Sequence, residues 1–303
     1  MAGDVTLPTL AFASPRKLPR AASLEGRVVV LDIAFAAEGM GKGFDKTTGK
    51  LIEQLGPRLA KWVDHHDHPF HHKFAGDERF VLCTKAQHGA CPEMIDETMV
   101  AQAGPVDTIL CHFDLDGLYA AAKWILGGRE PYAGADADAH AVDTRLGTPS
   151  PTAARIDKAL RAHWLDPTLK RRIVKWLVSG MGSGIENDSI AEAAADFDRM
   201  AAAAQRLARD YVVEGDVAYL EVTSSDPTFD KTELLLLGQK LATVSVVLDA
   251  GNATIAADFD SGLDFVAMLD LGGGMPTRVN IPQKRLHDAL RKIRAALVDR
   301  ARG

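Results

Sequence analysis

Three short apolar runs in this chain break off at an aspartate or a histidine. Residues 27–35 read RVVVLDIAF, with Asp32 near the end; residues 61–64 read KWVD, ending at Asp64; residues 106–111 read VDTILC and stop at His112. Runs this short and this rich in β-branched residues are read as parallel strands buried on both faces. Residues 79–83, RFVLC, make a fourth. A glycine-rich loop (Gly39, Gly41, Gly43) and a helical stretch over 46–60 follow the first run. CPEMIDETMVAQA, 91–103, opens a helix with a proline in its first turn, and 117–127 reads as a helix with Ala120, Ala121, Ile125 and Leu126 on its inner face. Strand and helix are expected to alternate through residue 180, which is the pattern of an α/β domain with a parallel sheet. The polar residues then fall at the C-terminal ends of strands, where open α/β sheets bind ligands.

The chain has 303 residues, enough for two domains of ordinary size. Residues 1–23 carry Arg16, Lys17 and Arg20 but no apolar run of signal-sequence length, and are expected to form a flexible arm. Residues 24–185 are assigned to the parallel-sheet domain and 186–215, alanine-rich, to a helical linker. Residues 216–303 are assigned to a second, smaller α/β domain with strands VAYLEV, LATVSVVLDA, ATIAADF and LDFVAML. A GGG turn at 272–274 and a basic helix over 283–301 close it. No apolar run reaches the roughly 18 residues of a membrane span. Cys83, Cys91 and Cys111 fit neither a zinc knuckle nor a disulfide framework, which suits reduced thiols and a cytoplasmic protein. The net charge of -6 argues against long duplex nucleic acid, whose binders show a basic face, and favours a short anionic substrate.

The chemistry concentrates in two segments. HFDLDG, 112–117, carries His112, Asp114 and Asp116 at alternate positions that can converge on one spot. An imidazole and two carboxylates suit Mn²⁺, Mg²⁺ or Fe²⁺; the competing reading is a polar strand end with an acidic turn. VDHHDHPFHH, 63–72, holds five of the ten histidines. His68, His71 and His72 are read as a solvated loop. Asp64 is expected to hold the second ring nitrogen of a ligating His65. Taken alone, Asp32 reads first as a helix cap, and Asp143, which sits with Arg145 in a loop, AVDTRLG (141–147), reads first as an N-cap or turn residue. Together these residues supply enough ligands for two divalent cations, and gathering so many carboxylates without one would be opposed by like-charge repulsion.

The segments WVDHH (62–66), HGACPEMIDETM (88–99), HFDLDGLYAA (112–121) and LGGGMP (271–276) resemble the DHH phosphoesterase family with its following DHHA1 domain. The resemblance implies two divalent cations, manganese first and magnesium as the alternative. His112, Asp114 and Asp32 would hold one; Asp116, His65, Asp143 and again Asp32, as the bridge, would hold the other. Asp32, His66 and Asp116 become the expected catalytic residues, with His66 at the substrate phosphate. Arg145, Gly272, Gly273, Gly274 and Arg278 become the expected substrate contacts. In the family the Asp-rich loop precedes DHH; here it follows, which reads as a circular permutation or a strand swap that keeps the site. Met275 stands where the family has a histidine, at the loss of one substrate contact. The function so implied is a phosphodiesterase acting on short oligonucleotides or on a small cyclic or dinucleotide substrate. A phosphomonoesterase or pyrophosphatase is the alternative, and a non-catalytic nucleotide-binding or scaffolding protein is the alternative of another class. No membrane partner is expected, and a homodimer is compatible with this reading.

Overall fold

The computed structural model describes residues 7–37, 43–225, 228–271 and 275–302. It divides into two compact units, residues 1–194 and 195–303.

In the first unit five strands form one parallel sheet: β1 (Thr9–Phe12), β2 (Val28–Leu31), β3 (Leu59–Asp64), β4 (Phe80–Leu82) and β5 (Thr108–Cys111). Their spatial order is β1-β5-β2-β3-β4. Side chains of β2 alternate between two cores: Val29 and Leu31 join one, Val28 and Val30 the other. All four are fully buried, which is why the run is apolar without a polar face. Helix α1 (Lys50–Leu55) and an aromatic cluster around Phe35, Phe44 and Trp62 form the second core. Helices α2 (Glu97–Ala103), α3 (Leu115–Ile125), α4 (Ala135–Thr144), α5 (Pro151–Ala162) and α6 (Pro167–Val178) lie on the first.

Several expectations require correction. Residues 9–12 belong to no arm: they pair with β5 as an edge strand, Leu10 opposite Ile109, because the β5 edge would otherwise leave its backbone groups unpaired. Strand and helix do not alternate to residue 180; after β5 come four helices, α3 to α6, with no strand among them. Residues 91–94 are a separate 3₁₀ turn, and α2 begins only at Glu97, where the Asp96 carboxylate caps it by accepting from Met99 N.

Helix α7 (Ile185–Leu207) contains the division between the units. The second unit has a sheet of order β10-β9-β8-β7-β6, built from β6 (Val212–Glu214), β7 (Val217–Val222), β8 (Val244–Asp249), β9 (Asn252–Ala256) and β10 (Arg278–Pro282). Only β7 and β8 pair in parallel, joined through α8 (Lys231–Gln239). The segment LDFVAML is no strand: Asp264 caps a short helix, α9 (Phe265–Met268), by accepting from Ala267 N. The chain closes with α10 (Leu286–Arg302), whose buried Ala289 and Ile293 pack with Val246 and Ile255 of the sheet.

Candidate metal centre

The strand order decides what meets what. β2 lies between β5 and β3, with Leu31 in register with both Cys111 and Val63. The residue that follows each strand therefore lands beside its counterparts. Asp32 falls between His112 on one side and the Asp64–His66 triplet on the other. β3 and β4 extend the sheet one way from β2 and β5 the other, so this is the switch point at which parallel sheets form ligand crevices.

Asp32 has φ 57°, a left-handed conformation that costs a non-glycine residue energy and is less unfavourable for aspartate than for most. Its amide donates to Val63 O at 2.9 Å, while its side chain turns out of the ladder. That side chain is 1% exposed. Neither carboxylate oxygen has a hydrogen bond among the described residues, although His65 Nε2 lies 3.2 Å from Oδ1 and His112 Nδ1 lies 3.7 Å from Oδ2. Burial, then the charges of Asp116 and Asp114, push its carboxyl well above the ordinary value.

His65 is fully buried. Its Nδ1 donates to the carbonyl of His88 at 3.0 Å, because a carbonyl can only accept. Its Nε2 faces Asp32 Oδ1 at 3.2 Å and Asp116 Oδ2 at 3.3 Å. Burial and Lys85 would lower the imidazole pKa, but Asp116 and Asp32 outweigh them and raise it to about 11. A nitrogen set between two carboxylates carries a proton or meets a cation. Asp64 does not hold His65, as the sequence suggested. It accepts from His66 Nδ1 at 2.8 Å, since β3 ends at Asp64 and the next-but-one side chain returns to its face. Burial would raise the Asp64 carboxyl, but His66 overrides it and holds the group below the ordinary value.

His112 and Asp114 pair through Nδ1 and Oδ2 at 2.6 Å. Burial would lower the His112 pKa, yet Asp114 lifts it to about 9, and His112 in turn draws Asp114 down against its own burial. Asp114 also caps α3, accepting from Gly117 N at 3.4 Å. Gly117 allows this close turn: a Cβ there would lie 2.6 Å from the His112 carbonyl oxygen. Asp116 lies in the first turn of α3, 2% exposed. Asp143 is in no loop but in the last turn of α4.

Three groups of donor atoms result, each drawn together within 4.8 Å: Asp32, His65 and His66; Asp32, His112 and Asp114; His65, Asp116 and Asp143. These residues fit divalent cations. The donors are oxygen and imidazole nitrogen, and Asp32 Oδ1 and Oδ2 are buried without a hydrogen bond among the described residues, as atoms that face a cation would be.

Other expected site residues lie elsewhere. Arg145 turns to Asp157, 3.1 Å away, and does not join the cluster; it too has positive φ, 63°, as the cap of α4. Arg278 opens β10 in the second unit and donates to Thr232 Oγ1 at 3.2 Å. Gly272, Gly273 and Gly274 lie outside the described residues. His68 and His71 are not simply solvated: both pack edge-on against Phe35, at 5.5 and 5.2 Å between ring centroids. The sequence reading missed Lys85. Its side chain is 3% exposed and pairs with Asp143, with Nζ 3.2 Å from His65 Nε2. It stands three residues past β4, so the rule that drew attention to Asp32 and Asp64 would have found it.

No family model matches the chain, and no curated protein matches it. Solved structures similar at a distance include the following two. The exonuclease RecJ bound to manganese shares 12% identity, with a TM-score of 0.43 over 89% of this chain and 74% of that one. The pGpG-specific phosphodiesterase PggH from Vibrio cholerae also shares 12% identity, with a TM-score of 0.39 over 91% of this chain and 98% of that one.

Proposed function

We propose that this chain is a metal-dependent hydrolase of phosphoric ester bonds, acting as a phosphodiesterase on short oligonucleotides or on a small cyclic or dinucleotide substrate. The observation that carries the reading is Asp32: a buried, strained carboxylate with no hydrogen bond among the described residues, shared by two of the three donor groups. A protein has little reason to hold such a group except to meet a cation.

Asp32, His112 and Asp114 would hold one cation; Asp116, His65 and Asp143 form the second donor group. When bound, a divalent cation such as Mn²⁺ or Mg²⁺ supplies Lewis-acid charge and a water acidic enough to be deprotonated near neutral pH. The chain's own residues do the rest. The His88 carbonyl fixes His65 in the tautomer that turns Nε2 inward. Asp64 does the same for His66, leaving Nε2 of this partly exposed ring free to meet a phosphoryl oxygen or to hold a proton for the leaving group. Asp64 is thus a positioning residue and His66 the group that faces substrate. Substrate size is argued from charge: a net charge of -6 gives the chain no overall attraction to a long phosphate backbone.

The test is a substrate panel with Mn²⁺: dinucleotides to pentanucleotides, cyclic dinucleotides, mononucleotides and pyrophosphate. Cleavage of the dinucleotides supports the proposal. Turnover of pyrophosphate or mononucleotides alone would move it to a phosphomonoesterase or pyrophosphatase. No turnover of any of them by protein that binds metal would leave a non-catalytic nucleotide binder. Asp116→Asn, which keeps the shape of this buried side chain, should abolish hydrolysis, with a melting profile as the check that the fold is kept.

A further inference from the structure

Lys85 is a buried cation in a place that the reading above gives to a metal. Its side chain is 3% exposed. Nζ pairs with Asp143 and lies 3.2 Å from His65 Nε2. Those are two of the three donors in the group His65, Asp116 and Asp143. The His65 ring has no other nitrogen to offer, because Nδ1 is committed to the His88 carbonyl. An ammonium within reach of both donors stands between them and repels a further cation, which a neutral side chain of the same length would not do. Among the described residues the other group, Asp32, His112 and Asp114, has no lysine or arginine paired with it; the cationic side chains near it are imidazoles, His112 itself and His65 and His66, which lie 3.2 and 3.9 Å from Asp32 Oδ1.

We propose that Lys85 serves as the resident cation of the His65–Asp116–Asp143 half of the centre, so that the chain binds one divalent ion, at Asp32, His112 and Asp114, rather than two. This rests on the metal-dependent reading of the site. It differs from that reading in the number of ions and in making one of the two positive charges permanent and immune to chelators.

The experiment counts ions rather than turnover. Protein stripped with EDTA is titrated with Mn²⁺ by equilibrium dialysis with elemental analysis, for the native chain, Lys85→Met and Lys85→Arg. One ion per chain is expected in the native protein and in Lys85→Arg, and two in Lys85→Met, with the second lost again in Lys85→Met combined with Asp143→Asn. Electron paramagnetic resonance of the native protein at saturating Mn²⁺ needs no variant and covers the case in which Lys85→Met fails to fold. The resolved hyperfine pattern of an isolated ion is expected. Two ions in the native chain, an exchange-coupled pair in its spectrum, or one ion in folded Lys85→Met would overturn the role of Lys85 and leave the metal-dependent reading standing. No Mn²⁺ bound to the native chain would overturn both.

Discussion

His65 Nε2 lies 3.2 Å from Asp32 Oδ1 and 3.3 Å from Asp116 Oδ2, although the three residues come from two strand ends and a helix, 84 positions apart at the extremes. The ring can donate only one proton from that nitrogen, so without a cation it serves one of two like-charged carboxylates at a time, while Asp116 Oδ2 also accepts from Cys91 N at 3.4 Å. The centre is therefore under electrostatic strain that metal relieves, and the following expectations come from that strain.

Asp32→Asn removes the charge while keeping a residue that tolerates positive φ. The metal-free variant should be more stable than the native protein, on the order of 1–3 kcal/mol, because a buried carboxylate without hydrogen bonds has been replaced by a neutral group. Manganese affinity should drop by more than about 100-fold, beyond the loss typical of an outer-shell change. Urea unfolding without metal and titration calorimetry measure the two halves. A metal-free variant less stable than native would refute the electrostatic account.

The stability of metal-free protein should fall with rising pH. His112 is raised from 6.5 to about 9 and His65 to about 11. A base whose folded pKa is raised stabilises the fold fully below its unfolded value and loses that contribution as pH passes the folded one. The window thus opens near 6.5, is steepest between 6.5 and 9, and eases above 9 toward 11. Asp32, raised by burial and by Asp116 and Asp114, acts in the same direction, since its stabilising proton is lost as pH climbs. Saturating Mn²⁺ should reverse the trend, because metal displaces those protons and binds more tightly once they are gone. Urea midpoints at pH 6.5 and 9, with and without Mn²⁺, decide it; a flat metal-free profile would count against the assignment. His112→Gln should remove the part of the slope that lies between 6.5 and 9.

Asp64→Asn tests orientation without touching the donor groups. An asparagine can turn its amide nitrogen toward His66 Nδ1 and favour the wrong tautomer. Turnover should fall roughly 10–100-fold with little change in manganese binding. Equal losses in turnover and metal affinity would mean that Asp64 supports the metal site itself.

Gly117→Ala places a Cβ 2.6 Å from the His112 carbonyl oxygen. Overpacking of this kind costs about 1–3 kcal/mol, and the relief available is to push His112 away from Asp114. A lower melting temperature together with weaker Mn²⁺ binding is expected. Unchanged binding would show that the Gly117 contact serves helix packing alone.

The local pieces of this site were legible because they are local. Short β-branched runs ending at Asp32, Asp64 and His112 mark strands buried on both faces, and the polar residue that ends each run marks the edge of the sheet where a ligand can lie. The glycine of HFDLDG is readable as a close turn for the same reason. Strand order was not legible, since period-two patterning is the same whichever neighbour a strand pairs with. Only the tertiary arrangement sets β2 between β5 and β3 and makes Asp32 the shared donor. It also brings the edge strand Thr9–Phe12 in beside β5 and hands Asp64 to His66 rather than His65. It buries Asp116 and carries Asp143 on α4 to Lys85, 58 residues earlier in the chain. Sequence spacing fixes which side chains share a face of one element. Which elements share an edge is decided by packing two apolar faces at once, and no single segment records that.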